Sequence, residues 1–324
     1  MRNDANISAQ LELWSGLQGV HEASVDALAR AAVGSVLVVG ASGALGKAFE
    51  ARCKARQLPC VVVGRDMLDA SDAQAVERLI RQHRPAAIIN AAGARAPSPG
   101  SMSPGEAEAQ CRAHIAGTVV LATAAARHGL VYQVISSAAV LAGVTGRRDE
   151  SAVPAPLDAF GRCQAEAESR ALRANPQTLL VRSGQFFGPD DDAGLLGEAL
   201  ASLRDGEPVA LSPELTLAPA YTPDLVDACL DLAADGEQGI WHLYSDAGIP
   251  AVDLVGRAAT LLGLGTLLVQ HDVDNAQPAP VLETRRNKRL PALDYALERF
   301  VAASRGATLE RRGASPQGCA EDAA

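Results

Sequence analysis

The apolar positions of this chain fall into short unbroken runs, separated by longer stretches with helical spacing. Val36-Leu37-Val38-Val39, Cys60-Val61-Val62-Val63, Ala86-Ala87-Ile88-Ile89, Tyr132 to Ile135 and Thr178 to Val181 are runs of the length expected for strands covered on both faces. Between them the spacing predicts helices from the glycines near 46 to about 57, over 72–83, over 106–128 and over 158–174. Strands that alternate with helices form βαβ units, so the expected fold is α/β with a doubly wound parallel sheet. After Arg182 the pattern loosens, with helices predicted over 193–204, 223–234, 251–263 and 291–303.

The sharpest local signal lies where the first strand gives way to the first helix. Gly40-Ala41-Ser42-Gly43-Ala44-Leu45-Gly46 spaces three glycines as G-x-x-G-x-x-G in the strand–turn–helix context that a dinucleotide site demands. The first glycine permits the tight turn, the second lets backbone approach a pyrophosphate, and the third lets helix pack on strand. The helix N-terminus then offers N–H groups to the phosphates. Gly40, Ser42, Gly43, Leu45 and Gly46 are therefore candidate cofactor residues of a Rossmann domain. The second strand ends in Gly64-Arg65, where NAD enzymes often carry an acid. A missing carboxylate and a guanidinium favour a 2′-phosphate, so NADP(H) is expected over NAD(H), with NAD(H) left open. Asp69 is placed either against the adenine or as a helix cap. Asn90, Ala91 and Ala92 end the third strand with side chains small enough to lie against the cofactor.

Composition narrows the partners. A net charge of −9 and a pI near 5.2 provide no basic field for nucleic acid, and 3% aromatic residues leave few platforms for stacked bases. No apolar run is long enough to span a membrane, and the polar N-terminus lacks a signal-peptide pattern, so a cytoplasmic protein is expected. The six cysteines lack metal-ligand spacing and are read as buried thiols of a reducing compartment, with no metal site.

Seven segments together carry a family resemblance: GASGALG at 40–46, LDASDAQAVERLIRQHRPAAIINAAG at 68–93, HIAGT at 114–118, SSAAV at 136–140, FGRCQAE at 160–166, LLVRSGQFFGPD at 179–190 and PAYTPDLV at 219–226. They resemble the extended short-chain dehydrogenases, and among these the dTDP-4-dehydrorhamnose reductases. The resemblance implies a nicotinamide cofactor on the Rossmann part and a nucleotide-sugar-like substrate in the C-terminal lobe, with Gln185 where relatives carry a substrate-facing residue; Tyr221, in the family's return segment, is read either as a substrate residue or as packing and helix capping. It also implies a Ser or Thr that holds the substrate carbonyl, a Tyr that donates its proton, and a Lys four residues on that lowers the Tyr pKa. Ser137 keeps the first position, whereas the Tyr position holds Phe160 and the Lys position Gln164. His114 stands where an Asn is common. The residues four places after Tyr132, Tyr221, Tyr244 and Tyr295 are Ser136, Leu225, Gly248 and Arg299, so no rearranged Tyr-Lys pair exists.

Losing a general acid typically costs about 10²–10⁴-fold in rate. Two readings follow. One is an atypical enzyme in which Ser137 orients an activated C=O or C=N and His114 moves the proton, or in which the reaction is a redox-neutral isomerisation or elimination. The other is a nucleotide-binding pseudoenzyme with a regulatory or scaffold role. The expected organisation is an N-terminal extension over 1–34, a Rossmann domain over 35–185 to which 216–245 returns, a substrate lobe from 186–215 and 246–304, and a disordered tail over 305–324. A homodimer is expected to pair the helices over 106–128 and 158–174, as family relatives do.

Overall fold

The computed structural model describes residues 35–93, 102–144, 148–189, 192, 194–212, 214–264, 268–270, 282–286 and 290–313. The extension over 1–34 lies outside the described residues. Six parallel strands form the main sheet: β1 (Val36–Val39), β2 (Cys60–Val63), β3 (Ala87–Asn90), β4 (Val131–Ser137), β5 (Leu179–Ser183) and β10 (Gly239–Leu243). Their order is β10-β5-β4-β3-β1-β2. The first βαβ units are linked by helices α1 (Ala44–Ala55), α2 (Ala73–His83), α3 (Pro104–His128) and α4 (Ala159–Ala174). Every parallel neighbour is thus reached by a helical crossover, which leaves both sheet faces covered and explains the unbroken apolar runs.

Two apolar layers sandwich this sheet. Val36, Val38, Ile89, Ile135 and Val181 pack with Phe49 of α1 and with Leu225 and Cys229 on one side. Leu37, Ile88, Tyr132 and Leu180 pack with Val76, Ile80 and Leu121 on the other. Consecutive residues of one strand point to opposite faces, as period two requires. Helix α6 (Thr222–Ala234) packs on the main sheet, whose edge beside β5 is β10.

A second core unites α5 (Leu195–Arg204), α7 (Ala251–Leu262) and α8 (Leu293–Gly313) through Leu196, Leu200, Leu254, Leu297 and Phe300. Short strand pairs fringe it: β6 (Phe186–Phe187) with β9 (Ala220–Tyr221), β7 (Val209–Leu211) with β12 (Leu268–Gln270), and β8 (Thr216–Leu217) with β11 (Ile249–Pro250). Helix α8 continues to Gly313, ten residues past the end its apolar spacing suggested. The tail expected from 305 therefore begins as helix, and only 314–324 lie outside the described residues.

The cysteine expectation needs a correction. Cys111 of α3 and Cys163 of α4 form a disulfide, with Cα atoms 5.8 Å apart. Spacing could not show this, because the partners are 52 residues apart and meet only when their helices pack side by side. Cys53 and Cys60 are thiols hydrogen-bonded to each other, and Cys319 lies outside the described residues. Among the described residues no group of three His, Cys, Asp or Glu side chains could hold a metal, and no helix is long and apolar enough to cross a membrane.

Candidate cofactor and active site

The strand order reverses between β1 and β3, since the chain leaves β1 towards β2 on one side and resumes at β3 on the other. Ligands of open α/β sheets bind in the crevice outside the carboxyl ends of strands at such a point. Here the glycine loop and the Asn90–Gly93 turn meet. Gly40 has φ +120°, and a Cβ there would lie 2.9 Å from the Ala92 nitrogen and 3.0 Å from the Ala91 carbonyl carbon. A Cβ on Gly46 would lie 2.1 Å from the Gly40 oxygen. Both glycines are demanded by the protein's own packing.

Gly43 is different. Its φ is −85°, it is exposed, and the nearest atom to a Cβ there is the Gly40 oxygen at 3.7 Å. It is the N-cap of α1, and no side chain accepts from the first-turn amides. Ser42 is exposed beside it, while Leu45 sends its side chain into the core and leaves only its backbone to the loop. Open space above an uncapped helix N-terminus is what a phosphate requires, so these residues fit a dinucleotide.

Asn90 is buried and turned inward, donating to Thr118 Oγ1 at 3.1 Å and accepting from the Ala92 N–H at 3.1 Å. Its side chain shapes the turn that presses Ala91 and Ala92 against Gly40. At the tip of β2, Arg65 is exposed. The Asp66 carboxylate, however, lies over Gly64, where a Cβ would be 2.5 Å from its Oδ1. An acid is therefore present two residues later than the position inspected in the sequence. Asp69 accepts from the Ser71 N–H at 2.9 Å and from its hydroxyl at 2.6 Å, and these bonds hold its carboxyl below the usual range. It shapes the approach to α2, whose cap is Asp72, accepting from Gln74 and Ala75.

Ser137 closes β4. Its Oγ accepts from the Ala139 N–H at 3.2 Å and so caps the short 3₁₀ turn Ala138–Leu141. Accepting that bond leaves the hydroxyl proton to donate to a ligand oxygen. Phe160 is the second residue of α4, half-buried, and brings no proton to the site. Gln164, one turn on, is 2% exposed and is held by its own protein: Nε2 donates to the Gly93 carbonyl, and the side chain is hydrogen-bonded to His114. Gly93 has φ +72°, and a Cβ there would sit 2.6 Å from His114 Nδ1. Gly93, His114 and Gln164 thus form one knot joining the β3 turn, α3 and α4. The run Asn-Ala-Ala-Gly carried the signal for Gly93 in its final glycine.

Burial lowers the His114 pKa, the Gln164 bond acts against this, and the Arg65 charge lowers it further. The net direction is downward, so the imidazole is neutral near pH 7. Its Nε2 is buried without a hydrogen-bond partner among the described residues. Behind Ser137, Ser136 donates to Glu168 Oε1 at 2.5 Å, and Glu168 accepts from Arg182 at 2.7 and 3.0 Å. Ser136, Arg182 and His242 stand in register across β4, β5 and β10, all buried. Sequence reasoning missed this network, whose partners come together only through strand register.

The two expected substrate residues differ. Gln185 is half-buried in the turn between β5 and β6, and its carbonyl accepts from the Ala220 N–H at 2.9 Å. Tyr221 is 4% exposed and packed in the second core, with ring centroids 5.5 Å from Phe187 and the Arg299 guanidinium 5.0 Å above it. Packing, together with the Arg299–Asp224 ion pair beside it, accounts for Tyr221.

A family model described as the RmlD substrate binding domain matches residues 34–260. A dTDP-4-dehydrorhamnose reductase of Streptomyces griseus is 27% identical over 256 residues, which cover 77% of this chain and 83% of that protein. The methionine adenosyltransferase 2 subunit beta of Xenopus tropicalis is 26% identical over 224 residues, 64% of this chain and 65% of that protein. In fold the chain is similar to the dTDP-4-dehydrorhamnose reductase of Bacillus anthracis, solved in complex with NADP, with a TM-score of 0.74 and 17% identity over 83% of this chain and 98% of that one. A parallel sheet with its glycine loop at the switch point, matched over most of its length by one family model, places this chain in the RmlD substrate-binding-domain family of extended short-chain dehydrogenase-like proteins.

Proposed function

We propose that the chain is an atypical NADP(H)-binding, oxidoreductase-like enzyme acting on a nucleotide-sugar-like or specialised-metabolite substrate. The observation that carries this reading is Gly43: space and bare helix amides that the fold itself does not need. The cofactor, when bound, supplies or accepts hydride. Gly40 to Gly46 cradle its phosphates, Arg65 pairs with the 2′-phosphate, and Ala91 and Ala92 leave room beside it. NADP in the solved Bacillus anthracis relative is consistent with this assignment.

Proton handling is reassigned. Phe160 gives no proton and Gln164 is tied to Gly93 and His114, so neither takes up the family's Tyr-Lys task. Ser137 donates a hydrogen bond to the substrate oxygen or imine. A neutral His114 favours accepting a proton over giving one. This suits oxidation, isomerisation or elimination, and reduction only of an electrophile that is already activated.

A second reading is a nucleotide-binding subunit without turnover. It is favoured by the internal use of Gln164 and by the likeness to a protein named as a subunit. Complementation of a deletion strain separates the two. The enzyme reading expects Ser137→Ala and His114→Ala each to fail, and Phe160→Tyr with Gln164→Lys to bring no gain. Wild-type growth with both alanine variants would overturn it.

A further inference from the structure

The Cys111–Cys163 bridge ties together the two helices that carry the reassigned groups. Cys111 precedes His114 by three residues on α3, on the same face of the helix. Cys163 lies between Phe160 and Gln164 on α4. The covalent link and the His114–Gln164 hydrogen bond are therefore neighbouring ties between the same two helices. Gln164 in turn holds the Gly93 carbonyl, so the helix spacing reaches the turn beside the glycine loop. Both bridge cysteines are half-buried, within reach of a small thiol, whereas Cys53 is wholly enclosed.

We propose that Cys111 and Cys163 form a reversible thiol–disulfide latch that sets the approach of α3 to α4 and, through it, the order of the His114–Gln164–Gly93 knot. To close it, the two thiols give up two protons and two electrons to a low-molecular-weight disulfide. One S–S bond forms in the protein, and the reagent's S–S bond breaks to yield two small thiols. To open it, a dithiol takes the protein disulfide back to two thiols and is itself oxidised. The closed latch holds the knot; the open latch lets the first half of α3 and the start of α4 separate. The cleft it governs is the one proposed above, but the latch is read without cofactor or turnover, so failure of either idea is seen separately.

The experiment uses the full chain, treated with glutathione disulfide or with dithiothreitol. Exposed thiols are alkylated in denaturant, and the chain is weighed intact. Amide hydrogen exchange is then followed over 108–118 and 160–168. The oxidised protein is expected to carry two fewer alkylated cysteines, at the mass of a single chain, and to exchange about tenfold more slowly in both segments. The double variant C111S/C163S is expected to exchange at the reduced rate in either buffer. Unchanged alkylation after oxidation, a doubled mass, or equal exchange once the bridge has formed would each overturn the latch. A response to oxidant that persists in C111S/C163S would overturn it too, by assigning the effect to other cysteines. The wild-type comparison stands even if the variant does not fold.

Discussion

Gly43 and Gly46 are the same residue type three places apart, yet their surroundings make opposite demands. Gly46→Ala drives a Cβ into the Gly40 carbonyl and should cost about 1–3 kcal/mol of stability, measured by denaturant unfolding. Gly43→Ser has room, and its hydroxyl can cap α1, so the melting temperature should hold or rise while NADP(H) affinity falls about tenfold or more. Retained affinity would remove the phosphate from this loop. At the tip of β2 the proposed cofactor would meet two opposite charges: Arg65→Ala should weaken NADP(H) and spare NAD(H), and Asp66→Asn should tighten NADP(H). Calorimetric titration with both nucleotides checks the pair. The glycine loop was legible because its geometry is local, fixed by consecutive residues. Asp66 was passed over because spacing does not say which way a carboxylate folds. One sequence alone does not show that Thr118 pairs with Asn90, or that Phe187 and Arg299 pack on Tyr221.

Helix α4 illustrates how much of an element's role depends on its neighbours. Its Glu168 neutralises Arg182 in the sheet and accepts from Ser136, next to Ser137. Glu168→Ala leaves a buried guanidinium unpaired and should destabilise the fold by about 3–5 kcal/mol, read by chemical denaturation. The disulfide that joins α4 to α3 closes a loop of 52 residues and should add about 2–4 kcal/mol in oxidising buffer, lost on reduction. Equal unfolding midpoints in the two buffers would contradict that. The strands and helices up to β5 were legible because each is long enough to repeat its period. β10 was not singled out: Gly239–Leu243 interrupts its apolar run with His242, buried through its bond to the Glu283 carbonyl. The end of α8 was misplaced for a related reason, since beyond residue 303 the sequence has no apolar stripe to mark a helix.

For the molecule as a whole, the half-buried His114 and the buried His242 contribute to the response to acid. His114 and His242 are both held below their ordinary value of 6.5, chiefly by burial. Below pH 6.5 the unfolded chain takes up protons that the folded chain refuses, so stability is complete above 6.5 and declines as the pH falls. Thermal unfolding should show a lower midpoint at pH 5.5 than at 7.5, and His242→Asn should flatten that slope. We also expect pairing of two chains through α3 and α4; light scattering that gives the mass of one chain at micromolar concentration would refute it. Fold class was legible at this scale, whereas the knot of Gly93, His114 and Gln164 was not, because three separated segments build it. The central claim is that this cleft binds NADP(H) without the Tyr-Lys pair. Calorimetric titration of the purified full chain with NADPH and NADH tests it most directly. The account predicts about one NADPH per chain, bound about tenfold or more tighter than NADH, and the absence of heat from either nucleotide at ~1 mM would contradict it.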